Sequence, residues 1–283
     1  MPLIDRLWLA TLTRDIDDAG TDATRLNLTI NIDGIDVLDM DLGFLRRPGW
    51  LSGGLGPSKG WLEKGQAALS PGTPAEPIES ALLTNSSIRL GIRGENAWGP
   101  YQVLLLGQIE RRIIALAMET EIDRWLSTDP GEGKLTMPLR LVGEGTSSTL
   151  IHRLVLLVYT ESGTDVETDD QIQLQVTAAG NLVVSATIGD SQQEDLEPYT
   201  ANWYDIAVSA PFTRGDVLSN GEIRLGILGD DAWRPKSVFV YGLDTPGGRP
   251  NDIVPLVAVP DWSLGDLSTN PQEGKASVPL PVM

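Results

Sequence analysis

Cysteine is absent from this chain, histidine occurs once, and lysine occurs five times. Without cysteine there is no disulfide, no thiolate nucleophile and no cysteine-ligated zinc. His152 alone cannot build a histidine-rich metal site, and it is the single candidate for any histidine-dependent triad. Positive charge is scarce as well: 21 Lys and Arg stand against 39 Asp and Glu, a formal net charge of −18. Nucleic-acid binding needs a basic footprint to displace phosphate counterions, so that class is excluded. An anionic membrane surface is reachable only if a divalent cation bridges the charges. No apolar run approaches the ~18 residues of a membrane span. The start, Met1-Pro-Leu-Ile-Asp-Arg-Leu-Trp-Leu-Ala10, lacks the basic region and apolar core of a signal peptide. The expectation is a soluble chain without an export signal, either cytoplasmic or built into a particle.

What is present is a repeat. Ile88-Arg-Leu-Gly-Ile-Arg-Gly-Glu-Asn-Ala-Trp-Gly-Pro100 returns 135 residues later as Ile223-Arg-Leu-Gly-Ile-Leu-Gly-Asp-Asp-Ala-Trp-Arg-Pro235. Extended to Gly107 and Gly242, the windows share 11 of 20 positions without a gap, which marks a tandem duplication. Trp125 and Trp262 follow at similar distances. Ser127-Thr-Asp-Pro-Gly-Glu-Gly-Lys134 then matches Ser268-Thr-Asn-Pro-Gln-Glu-Gly-Lys275. Half of 283 residues is a comfortable size for one core, and 41% apolar residues suffice for two. The expected division is 1–143, a flexible linker 144–149, and 150–283.

Apolar and polar residues alternate strictly in Leu26–Ile32 and Ile172–Val176, the period of half-buried strands. Val103–Leu106, Leu154–Val158 and Val238–Tyr241 are continuous apolar runs and read as more deeply buried strands. Leu135–Leu139 and Ala276–Leu280 each carry proline, which confines them to sheet edges or bulges. With 30 Gly and 19 Pro between short strands, the fold class is all-β: two tandem antiparallel β-sandwiches. Residues 44–80 do not repeat cleanly. Trp50 and Trp61 there, with Trp203 and Tyr204 in the second half, are the candidate partner anchors, because large aromatics supply much of the energy at interfaces.

The best chemical candidate is calcium, which takes six to eight oxygens, several of them loop carboxylates. Asp15, Asp17, Asp18 and Asp22 crowd one turn of the first half, with Glu95 and Asn96 in the repeated loop. Asp169, Asp170, Asp230 and Asp231 are the second set. Aspartate is also a turn former that bonds its own backbone, so the same residues fit a purely structural role. No EF-hand spacing is present. Gly53–Gly60 has neither the spacing nor the context of a phosphate loop, and no Gly-x-Ser-x-Gly elbow accompanies His152. Glu119 and Glu121 form a pair of the kind glycosidases use, but among 39 acids such pairs arise by chance.

Ala19-Gly-Thr-Asp-Ala23 before an alternating strand, Gly-Glu-Asn-Ala-Trp98 at the end of another, and Arg124-Trp-Leu126 resemble the PLAT (lipoxygenase-homology, LH2) domain. Tyr159-Thr160, Thr168-Asp169, Phe212–Gly215, Gly229–Trp233 and Asp261-Trp262 extend the resemblance to the second half. The departures are Val166–Asp170, which lacks the Gly-Thr-Asp-Ala order, and two long closing segments. The resemblance implies eight-stranded sandwiches that act as non-catalytic modules, contacting proteins or lipids, some of them through calcium. The expected function is therefore docking of a protein or lipid-bearing surface through loops. The alternative is a structural subunit of a filament, phage-like particle or other self-assembling complex. A carbohydrate-active sandwich is the third option.

Overall fold

The computed structural model describes residues 2–15, 19, 25–42, 67–74, 76–93, 97–160, 168–189, 196, 198 and 200–283. The alternating and continuous apolar segments all become strands, and the fold is all-β. Two units follow one another, Met1–Gly143 and Glu144–Met283. No described helix is long and apolar enough to cross a membrane.

The first unit contains β1 (Leu3–Thr13), β2 (Arg25–Ile32), β3 (Ile35–Leu42), β4 (Ala67–Gly72), β5 (Ile78–Glu79), a 3-10 helix (Ser80–Asn85), β6 (Ser86–Arg93), β7 (Pro100–Ile109), β8 (Arg112–Glu119) and β9 (Thr136–Leu139). One sheet runs β4-β1-β7-β8, with β5 also on β1, and the other runs β3-β2-β6-β9. All these pairings are antiparallel. Leu7 and Leu9 meet Leu26, Leu28 and Ile30 across the sandwich in one buried cluster.

A two-residue strand, β10 (Gly143–Glu144), stands at the division. The second unit then contains β11 (Leu150–Thr160), β12 (Ile172–Ala178), β13 (Asn181–Ile188), β14 (Ala201–Thr213), α1 (Arg214–Asn220), β15 (Glu222–Ile227), β16 (Pro235–Leu243), β17 (Asp252–Val259) and β18 (Ser277–Leu280). Its strand orders are β17-β16-β11-β14 and β13-β12-β15-β18. Position for position, this is the pairing scheme of the first unit. The proline-bearing strands β9 and β18 are edges, as a residue without an N–H requires. The continuous apolar runs are buried on both faces of their sheet. Leu154, Leu156 and Val158 enter the sandwich core, while Val155, Leu157 and Tyr159 are buried on the opposite face.

Residues 144–149 are not the free linker that composition suggests. Gly145 N–H donates to Ile253 O (3.0 Å), and Ser147 O accepts from Gly215 N–H (2.8 Å). A Cβ at Gly145 would stand 2.5 Å from Val254 Cγ2, so only glycine brings this segment so close.

Two of the short hairpins turn through two residues of positive φ. These are Asp33 (52°) and Gly34 (85°) in β2–β3, and Ala179 (48°) and Gly180 (79°) in β12–β13. This geometry matches strand twist but penalises a Cβ that lacks a compensating polar side chain. Ala179→Gly is expected to stabilise the protein by about 0.5–1 kcal/mol, read as a higher melting temperature. An unchanged or lower value would show that the left-handed alanine carries no strain.

Helix α1 is closed by a capping box. Thr213 Oγ1 accepts from Asp216 N–H (3.1 Å), while Asp216 Oδ2 accepts from Thr213 N–H (2.8 Å). The Thr213 hydroxyl and N–H hold the Asp216 carboxyl below its ordinary range. A carboxyl lowered in the folded state adds stability above its unfolded pKa, and that stability is lost as pH falls through the folded value. Asp216→Asn is therefore expected to flatten the acid limb of the melting-temperature profile. Two superimposable profiles would contradict this.

Candidate functional site

The repeated residues meet at one end of each sandwich. Trp98 and Trp233 are completely buried. Trp98 exchanges backbone hydrogen bonds with Leu126 (2.8 and 2.9 Å), and Trp233 does so with Leu267 (2.8 and 2.9 Å). A buried indole needs a partner for its N–H. Trp98 Nε1 donates to Thr13 Oγ1 (2.9 Å) at the end of β1, and Trp233 Nε1 donates to Thr160 Oγ1 (3.2 Å) at the end of β11. Both tryptophans are thus core pillars. The threonines were not anticipated as partners. The signal existed: Leu3-Ile-x-Arg-Leu-x-Leu9 and Leu150-Ile-x-Arg-Leu-x-Leu156 precede them at equal distance.

The second repeated segment caps the same end. Asp129 N–H donates to Ser127 Oγ and Asn270 N–H to Ser268 Oγ, each at 3.0 Å. The Asp129 and Asn270 side chains then accept from the N–H two residues on, at 2.7 and 3.1 Å. This is why Asp and Asn interchange here while the serine does not. Gly133 and Gly274 are fixed by space, since a Cβ would lie 2.7 Å from Trp125 O or 2.5 Å from Asp266 O.

Those contacts correct one sequence correspondence. Lys134 N–H donates to Trp125 O, and Lys275 N–H donates to Asp266 O, both at 3.0 Å. Asp266, not Trp262, is therefore the counterpart of Trp125. Trp262 N–H donates to Lys236 O (2.9 Å), the place taken by Ile122 and Tyr101 (3.0 Å) in the first unit. This exposes a paired exchange. Gly99 leaves room for the Trp125 indole, whose Cζ3 would be 3.3 Å from any Cβ there. In the second unit Arg234 replaces the glycine, and its guanidinium takes Asp266 in a two-point ion pair (2.5 and 2.6 Å). The difference between the repeats at 99 and 234 is answered inside each unit.

The acidic loops of the second unit converge, though through backbone. Asp170 N–H donates to Thr168 Oγ1 (2.9 Å), and Asp170 Oδ2 accepts from Asp231 N–H (2.8 Å). Gly229 permits this, since a Cβ there would overlap the Asp170 carboxylate. From the other side, Gly229 O accepts from Thr269 Oγ1 (2.7 Å) and Asp230 O accepts from Ser268 Oγ (2.8 Å). Residues 229–231 are clamped between two loops, and the Asp169, Asp230 and Asp231 residues are exposed. Among the described residues no three His, Asp or Glu gather as a metal site. Asp15 is exposed in a bend. Asp17, Asp18, Asp22, Glu95 and Asn96 lie outside the described residues, as do Trp50 and Trp61. Asp170→Ala is expected to cost about 1–2 kcal/mol, because it leaves the Asp231 N–H without its charged acceptor. Equal denaturation midpoints for variant and parent would dismiss the clamp.

The remaining candidates sit in the framework. Trp203 lies opposite Leu157 with 7% exposure, so it presents no surface anchor, and its Nε1 has no hydrogen-bond partner among the described residues. Tyr204 is half-buried against the core, and its hydroxyl accepts from Asn202 Nδ2 (3.1 Å). Glu119 Oε1 accepts from Arg140 N–H (3.0 Å), while Glu121 is exposed at a positive φ of 51°. His152 is half-buried at the irregularity between Ile151 and Arg153. Neither a family model, nor a curated protein, nor a solved structure matches this chain.

Proposed function

We propose that the protein is a non-catalytic docking module: two PLAT-like sandwiches, copies of one ancestral unit, that present loops at one end to a protein partner. Two antiparallel layers per unit, each with four principal strands, support the family reading. The observation that carries the function is the division at the sandwich end. The supporting frame of Trp, Thr and the Ser-Thr-Asx-Pro segment is the same in both units, while Gly99 and Trp125 beside it in one unit give way to Arg234 and Asp266 in the other. A rigid scaffold beneath variable loops is the usual arrangement of recognition domains. The clamped rim at Asp230 and Asp231, with the net charge of −18, suits a basic protein surface better than an anionic membrane.

Self-assembly is the second reading. The edge strand β3 exposes Ile35 (68%) and could meet a copy of itself. Asp36 and Asp39 on that strand would then face their own counterparts, the kind of charge that discourages edge pairing. Sedimentation at rising concentration separates the two readings. A docking module stays monomeric, whereas reversible growth into larger species overturns docking in favour of a structural subunit.

A further inference from the structure

Of the nine asparagines in the sequence, only Asn220 is followed by glycine. That pair is chemically distinctive. Glycine has no Cβ to hinder its own main-chain nitrogen, which can reach the preceding side-chain carbonyl. We infer that Asn220 is a site of spontaneous deamidation in the folded protein, yielding aspartate and isoaspartate.

Asn220 is exposed and ends the seven-residue helix α1. So short a helix is held by its packing, and its last turn opens more readily than the strands beside it. Opening lets the Gly221 nitrogen turn toward Asn220 Cγ. After losing its proton to solvent base, that nitrogen bonds to Asn220 Cγ, the Cγ–Nδ2 bond breaks, and ammonia leaves. Water then opens the resulting succinimide at either carbonyl, with no oxidant or reductant involved. Opening at the main-chain carbonyl gives isoaspartate, which inserts a methylene into the backbone.

The fold cannot silence the pair at its glycine. A Cβ at Gly221 would overlap the Thr177 carbonyl oxygen. The first unit offers a built-in comparison. Asn85-Ser86 stands at the same distance before the repeated strand, but there the following N–H is engaged by Leu83 O. Gly34, which follows Asp33, is likewise engaged, donating to Asn31 Oδ1 (3.0 Å). The event therefore marks the second unit alone. It falls where Asn220 O accepts from Gly180 N–H (2.7 Å) and Asp216 O from Ala179 N–H (3.0 Å), the bonds that seat α1 on the β12–β13 turn. The added methylene displaces the first of these.

The test is ageing of the full-length protein at neutral and mildly alkaline pH, with peptide masses read after digestion at arginine. Isoaspartate is read separately by methyl transfer from S-adenosylmethionine with an isoaspartyl methyltransferase. The expected result is loss of the unmodified Asn220 peptide before that of Asn85, faster at the higher pH. Methyl acceptance appears with it, is absent in Asn220→Gln, and accompanies a lower melting temperature. Retention of Asn220 in the folded protein, or its conversion only in denaturant, would overturn the assignment.

Discussion

Trp233→Ala loses about 3–5 kcal/mol of stability, the cost of emptying a fully buried indole site. Much of this is packing, and part is polar. The Trp233 Nε1–Thr160 Oγ1 bond joins residues 73 apart and ties the end of β11 to the residues just before β16. Thr160→Val keeps the shape and removes only the acceptor. It is expected to cost about 1–2 kcal/mol, because a buried N–H is left unsatisfied. Trp98→Ala and Thr13→Val should give the same order of effect in the first unit, where the equivalent bond is 2.9 Å. Chemical denaturation with the four single variants measures this. A Trp→Ala loss no larger than its Thr→Val loss would mean that the tryptophans are not the pillars described.

Gly221→Ala costs about 3 kcal/mol or more, the upper range for overpacking. Gly221 has φ −160°, an extended conformation open to any residue, so conformational strain is not the cause. The cause is contact: the new methyl would overlap the Thr177 carbonyl oxygen and crowd Val217 Cα (3.0 Å), both main-chain atoms that cannot rotate away. The damage should spread to α1 and to the β12–β13 turn it holds. Hydrogen exchange then shows faster exchange at Ala179 and Gly180 than in the parent protein. A variant with parental stability would refute the close approach.

The architecture was readable because it is written in local period and in repetition. Leu26–Ile32 alternates, Leu154–Val158 does not, and the structure buries the apolar face of the first, with Thr29 and Asn31 half-buried on the other, and both faces of the second. Trp98 and Trp233 were legible as core because two copies of a core residue are commoner than two copies of a special site. The site end was less legible, because its key bonds span large sequence distances. Thr13 meets Trp98 across 85 residues, and Asp170 meets Asp231 across 61. A run of aspartates reads the same whether its oxygens face an ion or a backbone N–H. Asp170 faces the N–H. Composition also misled at Gly145 and Ser147, where Gly and Ser signify close main-chain contact instead of freedom. Trp125 was matched to Trp262 by residue type, while hydrogen bonding pairs it with Asp266.

The exchange of Gly99 with Trp125 for Arg234 with Asp266 bears on how the two ends differ. A large aromatic fills space in one unit, and a two-point ion pair does so in the other. Each solution keeps the frame while altering what solvent or a partner meets. A difference of that kind fits two loop ends with different contacts more readily than one site used twice.

The most direct measurement of the docking account is the salt-dependent affinity of a partner captured from the native cell extract, compared between the parent protein and Asp230→Lys with Asp231→Lys. Both residues are exposed on a backbone held by other groups, so the double variant should melt as the parent does. The account predicts that charge reversal abolishes binding and that added salt weakens the parent's binding progressively. Unchanged affinity in the double variant, or binding indifferent to salt, would contradict it.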